Sequence, residues 1–477
     1  MNKADIEKLN ETGHYYNFPC GISMLPMLKY CTSIVDIVPL NGKLKKYDAA
    51  LYYNKKTHRY ILHRVIKVLE DKYIFSGDNC LGCEIVPHED VIGVLARFKR
   101  NLGSEWISVN DKRYLLYVHF WCDFLPVRRL LIKIQNILLK KSIKKAAKEM
   151  LYLIMCQINN VKPKISQLNE KNFELLYKIS QQHLLTNIVF SAIENAYGKD
   201  LPKNELMSLW RTEKDKAAWK NILFDIERKE LTDFCEKSGI WYMPLKGSVI
   251  KDLYPKNGMR EMADIDILFD TSYRNVIKDW FTAKGYEYCM AEEKDFHDSC
   301  FKEPFYHFEM HTALFRKVNN STLDKLADYY ANVKDKLISD ESKLYGYHFT
   351  DEDFYIFMLA HAYKHSRAGT GLRSLLDCYV YYKAYENKLN WDYIEKELDV
   401  MGIWEFEQKI KCLAQKIFAY PAPNNTLTAE EERMLEYVIF SGAYGTAENL
   451  RRYAIESSLK SIANDCKNIS WRIKFNI

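Results

Sequence analysis

"EMADIDILFD", residues 261–270, threads two aspartates, Asp264 and Asp266, through a run that otherwise reads as a buried strand. Side chains two residues apart on a strand share a face, so the aspartates project together while Ile265 and Ile267 turn to the opposite, apolar side. Neighbouring carboxylates resist joint ionisation unless a cation neutralises them. Oxygen ligands of this kind suit Mg²⁺ or Mn²⁺. Asp270, past the apolar stretch, reads as an ordinary strand-end acid.

Working outward, Lys246-Gly247-Ser248 follows the apolar "WYMPL" (241–245). A glycine there lets backbone N–H groups approach a phosphate closely. Arg260 precedes the aspartates as a cationic phosphate ligand. Downstream, "HFEMH" (307–311) puts Glu309 on another apolar strand, with His311 on the same face. "HAYKHS" (361–366) brings His361, Lys364 and His365 to one helix face, where a histidine is first read as structural. Lys364, and Asp377 in "LRSLLDCYVYY" (372–382), are candidates for contact with nucleotide or acceptor.

This order of Gly-Ser, Asp-x-Asp and a later strand carboxylate resembles the nucleotidyltransferases of the DNA polymerase β superfamily. "PLKGSVIKDLYP", "DIDILF" and Glu-x-His look more closely like a less-characterised bacterial nucleotidyltransferase family within it, over about residues 160–400. The resemblance implies transfer of a nucleoside monophosphate from an NTP to an acceptor, with release of pyrophosphate. It implies Asp264, Asp266 and Glu309 as holders of Mg²⁺ or Mn²⁺, with Lys246, Gly247, Ser248 and Arg260 at the phosphates. Glu309 is also expected to help deprotonate the acceptor.

The 477 residues are 48% hydrophobic and 28% charged, which fits a multidomain globular protein and excludes a disordered chain. A net charge of +6 does not by itself indicate nucleic-acid binding. One segment concentrates it: "FLPVRRLLIKIQNILLKKSIKKAAK" (124–148) carries eight Lys and Arg and no acid. It reads as a basic amphipathic helix, packed as a linker, laid on an anionic membrane surface or cradling an acidic partner. No run reaches the roughly 18–20 apolar residues of a membrane span. The first twenty residues lack the apolar core of a secretory signal. The expectation is a cytoplasmic protein, peripheral to the membrane at most. Twelve scattered cysteines agree, and the single CxxC, Cys80 and Cys83, reads as a turn with two free thiols.

The first hundred residues read as short strands at 33–40, 49–54, 59–70, 72–77 and 90–98, parted by turn residues. Within them lie a serine, a histidine and an aspartate: Ser23 in "GISMLPML", His63 in "YILHRVIKV" and Asp78 in "SGDN". A serine nucleophile needs a base, and a histidine base benefits from a carboxylate that fixes its tautomer. Gly21-x-Ser23-Met24-x-Pro26, Tyr47-Asp48-Ala49-Ala50, His63-Arg64-Val65 and Gly77-Asp78-Asn79 resemble the ordered boxes of signal-peptidase-like serine peptidases of the Ser/His type, over roughly residues 14–100. That resemblance implies Ser23 as nucleophile, His63 as general base and Asp78 as the orienting carboxylate. It also implies a peptide or protein substrate in the cytoplasm.

The expected architecture is α+β and multidomain. It comprises a mostly β signal-peptidase-like domain (1–110), a basic helical connector (111–150) and a polymerase-β-like nucleotidyltransferase α/β core with helical flanks (151–477). Fusion suggests one target that is both clipped and nucleotidylated. The alternatives are a transferase with a non-catalytic peptide-binding domain, a peptidase with a nucleotide-sensing transferase domain, and a purely structural binding protein. RNA stands beside protein as a possible acceptor.

Overall fold

Alternation of apolar and polar residues between short turns closes the first hundred residues into one antiparallel sheet. The computed structural model describes residues 3–442, apart from 18, 20–22, 30–32, 56–58, 81, 102, 293–295, 319, 367–368, 370 and 422–425. Gly21 of the N-terminal motif lies outside the described residues. The strands run in spatial order Tyr15–Asn17, Ile34–Pro39, Val91–Lys99, Ala49–Asn54, Arg59–Val68, Lys72–Ser76 and Glu84–Pro87, and Ile107–Ser108 pairs with Val91–Lys99. Three of these, Tyr15–Asn17, Glu84–Pro87 and Ile107–Ser108, are too short to show alternation in the sequence. Arg64, 1% exposed, donates to both carboxylate oxygens of Asp78, at 2.8 and 2.7 Å, and to the Tyr114 hydroxyl at 3.0 Å.

The chain divides into two compact units, Met1–Ser142 and Ile143–Ile477. The division falls inside a long helix, Leu125–Ile158, so the segment expected as a connector is shared between the units. A shorter helix, Lys112–Asp123, precedes it and is capped by the Asp111 side chain, which accepts from the Arg113 N–H. Pro126 falls in the first turn of the long helix, where a missing N–H costs nothing. Val127, Leu130, Leu131, Ile134, Ile137 and Leu138 recur at helical spacing yet are exposed, while Arg128 and Ile132 are buried. No helix among the described residues is long and apolar enough to cross a membrane.

The second unit is built on a five-stranded sheet in the order Glu287–Cys289, His297–Lys302, Tyr306–His311, Ile265–Phe269 and Tyr242–Pro244. The two strands that matter most, the aspartate strand Ile265–Phe269 and the glutamate strand Tyr306–His311, are parallel, and Asp266 stands opposite Glu309. Ile265, Ile267 and Phe269 bury on one face against Phe224, Leu231, Ile277 and Phe281. Each such burial stabilises by about 1.5–3 kcal/mol. Leu268, on the other face, joins a second core with Phe354, Ile356 and Phe357 of the helix Asp351–Ser366. That helix therefore covers the face on which the aspartates stand. Its first turn carries Asp351, Glu352 and Asp353 at the positive end of the helix dipole, and the Thr350 hydroxyl accepts from the Asp353 N–H at 3.0 Å.

Helices also supply a third core around Trp210, Phe190, Leu376 and Phe418. The helix Glu205–Ser238 begins at Asn204, which accepts from the Met207 N–H, and ends at left-handed Gly239. Buried His183 fastens the helical part together: its Nδ1 accepts from the Leu372 N–H at 3.1 Å, and its Nε2–H donates to the Ile439 carbonyl at 3.1 Å.

Candidate active site

Chain reversal after the strand Tyr242–Pro244 sets one wall of a cleft. The Leu245 N–H donates to the Asp266 carbonyl at 3.0 Å, and Lys246 then turns the chain at φ 47°, ψ −117° into the short helix Gly247–Ile250. This is the corner conformation that glycine adopts most easily. The Lys246 ammonium reaches across the sheet end to Asp266 Oδ1 at 2.6 Å and lies 3.9 Å from Glu309 Oε2. His311 Nε2 donates to the same Asp266 oxygen at 2.8 Å.

These contacts give the three carboxylates different characters. Burial opposes charge on Asp266, yet Lys246 and then His311 more than offset it and hold its carboxyl well below the usual range. Burial opposes charge on Glu309 as well, and the neighbouring His311 imidazole and then Lys246 bring its carboxyl down. Asp264 has no such donor among the described residues: burial, Asp266 and Glu309 push its carboxyl up by more than Lys246 and Arg373 lower it. One oxygen of Asp264, one of Glu309 and a ring nitrogen of His307 lie within 4.8 Å of one another. The cluster thus carries more negative charge than Lys246 balances, which is the condition under which carboxylates accept a divalent cation.

The cleft has a volume of about 330 Å³ and is lined by Lys246, Gly247, Arg260, Asp264, Asp266 and Glu309 on the sheet side. His361 and His365 line it from the covering helix, and Arg373, Ser374 and Asp377 from the helix Gly371–Tyr385. Gly247 is required by close approach: a Cβ there would meet Arg260 Nη1 at 2.4 Å and Met262 Sδ at 2.7 Å. Arg260 grips Asp377 through both oxygens, at 3.3 and 3.0 Å, and the Tyr254 hydroxyl donates to Asp377 at 2.7 Å. Asp377, expected to face nucleotide or acceptor, is thus engaged in holding Arg260.

Ser248, the other expected phosphate ligand, is 3% exposed and does not line the cleft. Lys364 packs its ammonium 3.2 Å from the Phe296 ring centroid, where burial and then Lys246 push it down to about 7. Burial and the neighbouring lysines push His361 well down, and burial and Lys364 bring His365 to about 4, so both are neutral near pH 7. Asp270 caps the turn Thr271–Tyr273, accepting from the Ser272 N–H at 3.1 Å. Sequence reasoning did not find Arg373, His297 or His307. The strand His297–Lys302, "HDSCFK", has too little apolar alternation to be seen as one.

In the first unit, Gly77 is the meeting point. A Cβ at that position would lie 2.6 Å from the Ser23 carbonyl and 3.0 Å from His63 Nε2, so the glycine lets the histidine ring approach the serine segment. The Asn79 N–H donates to the Ser23 carbonyl at 2.7 Å. The carboxylate beside His63 is Glu84, whose Oε2 is 3.2 Å from Nδ1, and the Tyr52 hydroxyl lies 3.3 Å from the same nitrogen and bonds Glu84. Asp78, expected to orient His63, instead holds Arg64 and accepts from the Tyr117 hydroxyl at 2.9 Å. The motif His-Arg fixes this outcome: the arginine, one residue on, is the stronger and better-placed partner for Asp78.

Residues 169–419, just over half of the chain, match the family model described as an uncharacterised nucleotidyltransferase. No curated protein and no solved structure matches.

Proposed function

We propose, for a chain that belongs to this uncharacterised nucleotidyltransferase family, that the cleft transfers a nucleoside monophosphate from an NTP to an acceptor hydroxyl. The observation that carries the reading is the register of the two central strands. It sets Asp266 against Glu309, with Asp264 beside them, at the mouth of a cleft whose other groups include Lys246, Arg260 and Arg373. Asp264, Asp266 and Glu309 suit a divalent cation, because three carboxyl groups converge while one lysine answers them. Such a cation, when bound, neutralises triphosphate charge and polarises the α-phosphate.

The chain's own groups then do the rest. Lys246 and Arg373 add positive charge where the leaving pyrophosphate accumulates negative charge. The Arg260–Asp377 pair fixes the guanidinium so that little is reorganised during reaction. As the acceptor oxygen bonds the α-phosphorus, the bond from that phosphorus to the α,β-bridging oxygen breaks, and the acceptor proton passes to a carboxylate, Asp264 or Glu309. Asp264 suits proton acceptance because its carboxyl is held up by burial and by its neighbours.

The test is incubation with each α-labelled NTP, Mg²⁺ or Mn²⁺ and a host extract. Label is expected on a macromolecular acceptor with wild type and absent with Asp264→Asn. Unchanged labelling by the variant would overturn the assignment. RNase and protease treatment of the product then separates an RNA acceptor from a protein one.

For the first unit a serine-hydrolase role acting on peptide is the reading that the approach of His63 to the Ser23 segment supports. In it Glu84, rather than Asp78, orients the imidazole, because Glu84 is the carboxylate that contacts Nδ1. Covalent labelling by a fluorophosphonate probe that survives Ser23→Ala would remove Ser23 as nucleophile.

A further inference from the structure

Beside the three carboxylates stands a set of imidazoles that the transferase reading does not use. The strand His297–Lys302 pairs antiparallel with the glutamate strand, and its register puts His297 directly opposite His311 and Ser299 opposite Glu309. All four therefore share one face of the sheet. His297 Nε2 is 3.6 Å from Glu309 Oε1, and His311 Nε2 is 3.6 Å from Glu309 Oε2. One donor atom from each of His297, Glu309 and His311 lies within 4.8 Å of the other two. Nδ1 of both histidines is buried and has no hydrogen-bond partner among the described residues. His311 is 2% exposed, and the Phe296 ring stacks over it at a centroid distance of 5.9 Å.

At 3.6 Å these nitrogens and oxygens are too far apart for good hydrogen bonds. The spacing instead approximates the edge between two ligands on one metal ion. With metal–ligand bonds of about 2.0–2.1 Å, that edge is about 3.4 Å in a tetrahedral site. Burying two imidazoles and a carboxylate at ligand spacing, with weak bonds among them, has a cost that an ion would repay.

We infer that His297, His311 and Glu309 form a site for a first-row divalent transition cation, of the class of Mn²⁺, Co²⁺, Ni²⁺ or Zn²⁺, with Glu309 shared between it and the Asp264–Asp266 pair. Imidazole nitrogen selects these ions, whereas Mg²⁺ takes oxygen and keeps its water. Asp266 Oδ1, 2.8 Å from His311 Nε2, stands beside the set. The site stands on its own geometry, and the transferase reading enters only through the sharing of Glu309.

The experiment uses the full chain, freed of metal by chelation. Co²⁺ is titrated in by equilibrium dialysis, with its visible ligand-field absorption recorded and Mg²⁺ present in large excess. One tightly bound Co²⁺ per chain, not displaced by Mg²⁺, is expected. His297→Ala should weaken it about tenfold or more, while His14→Ala, at a half-exposed histidine of the other unit, leaves it unchanged. Asp264→Asn should keep the Co²⁺ site while abolishing transfer, so failure of the transferase reading and failure of this one are told apart. X-ray absorption on Co²⁺-loaded wild type gives a readout that needs no variant to fold, and imidazole back-scattering is expected. Displacement by Mg²⁺, undiminished binding in a folded His297→Ala chain, or scattering from sulfur or from oxygen alone would each overturn the inference.

Discussion

Replacing Asp264 by asparagine should stabilise the metal-free protein, whereas the same change at Asp266, two residues away, should destabilise it. The Asp264 and Glu309 oxygens lie within 4.8 Å of each other. Two like charges at that distance repel by about 3 kcal/mol at an effective dielectric constant near 20. Attraction to Lys246 offsets part of this, so Asp264→Asn should gain about 1–2 kcal/mol at pH 7. Asp266 is the partner of Lys246 at 2.6 Å and of His311 at 2.8 Å. Its neutralisation leaves the Lys246 ammonium with the more distant Glu309, 3.9 Å away, and Asp264, and should cost about 2–4 kcal/mol. The assay is urea unfolding of the second unit, followed by tryptophan fluorescence in chelator. The pH dependence follows from the signs. The Asp264 penalty operates above its raised folded pKa and fades as pH falls through it, so the gain from Asp264→Asn shrinks on acidification. The Asp266 contribution is present above the ordinary carboxylate range and is lost only as pH falls through its depressed folded pKa. A loss of more than about 1 kcal/mol in Asp264→Asn, or a shift of both variants in the same direction, would refute the reasoning.

Gly247→Ala places a methyl 2.4 Å from Arg260 Nη1 and 2.7 Å from Met262 Sδ, so it should reduce NTP affinity about tenfold, about 1.4 kcal/mol, in nucleotide titration and also lower the unfolding midpoint. Asp377→Asn leaves buried Arg260 without its bidentate partner and should lower stability by about 3 kcal/mol in denaturant unfolding. Lys364, pushed down to about 7, loses its proton in the folded state while the unfolded chain keeps it to about 10.4. Its contribution to stability therefore rises with pH between those values. Triphosphate favours the protonated form, so affinity should fall as pH rises through 7, and Lys364→Met should flatten that slope in a binding titration at several pH values. Glu84→Gln should slow fluorophosphonate labelling of Ser23 about a hundredfold at pH 7, while Asp78→Asn should act chiefly on the unfolding midpoint.

Much of the second unit was legible because its signals are local. "ADIDILFD" announces both a buried face and a charged one, and the structure turns Ile265, Ile267 and Phe269 inward and stands Asp264 and Asp266 together. The pairing of Asp266 with Glu309 is a matter of strand register between distant segments, which periodicity cannot supply. Partner choice among charged groups was less legible still. Arg260, expected at the phosphates, and Asp377, expected at nucleotide or acceptor, both line the cleft, but their hold on each other across 117 positions is invisible in the sequence. The resemblance to peptidases implies Asp78 as the partner of His63, whereas the fold pairs Asp78 with Arg64 and sets Glu84 beside His63 Nδ1. The helix across 124–148 is visible from spacing, which leaves open whether its apolar residues pack inward or face outward; Leu130, Ile134, Ile137 and Leu138 are exposed.

Lys246 sits at a corner where its backbone would rest more comfortably as glycine. Selection among random substitutions should drift such a position toward glycine unless the side chain repays the strain, about 1–3 kcal/mol. The corner therefore sets a floor under the value of one ammonium group. Whatever Lys246 does for the protein, in the resting cluster or with its substrate, has to exceed that figure, and the two quantities separate on comparing Lys246→Gly, which relaxes the turn and removes the charge, with Lys246→Met, which removes the charge and keeps the strain.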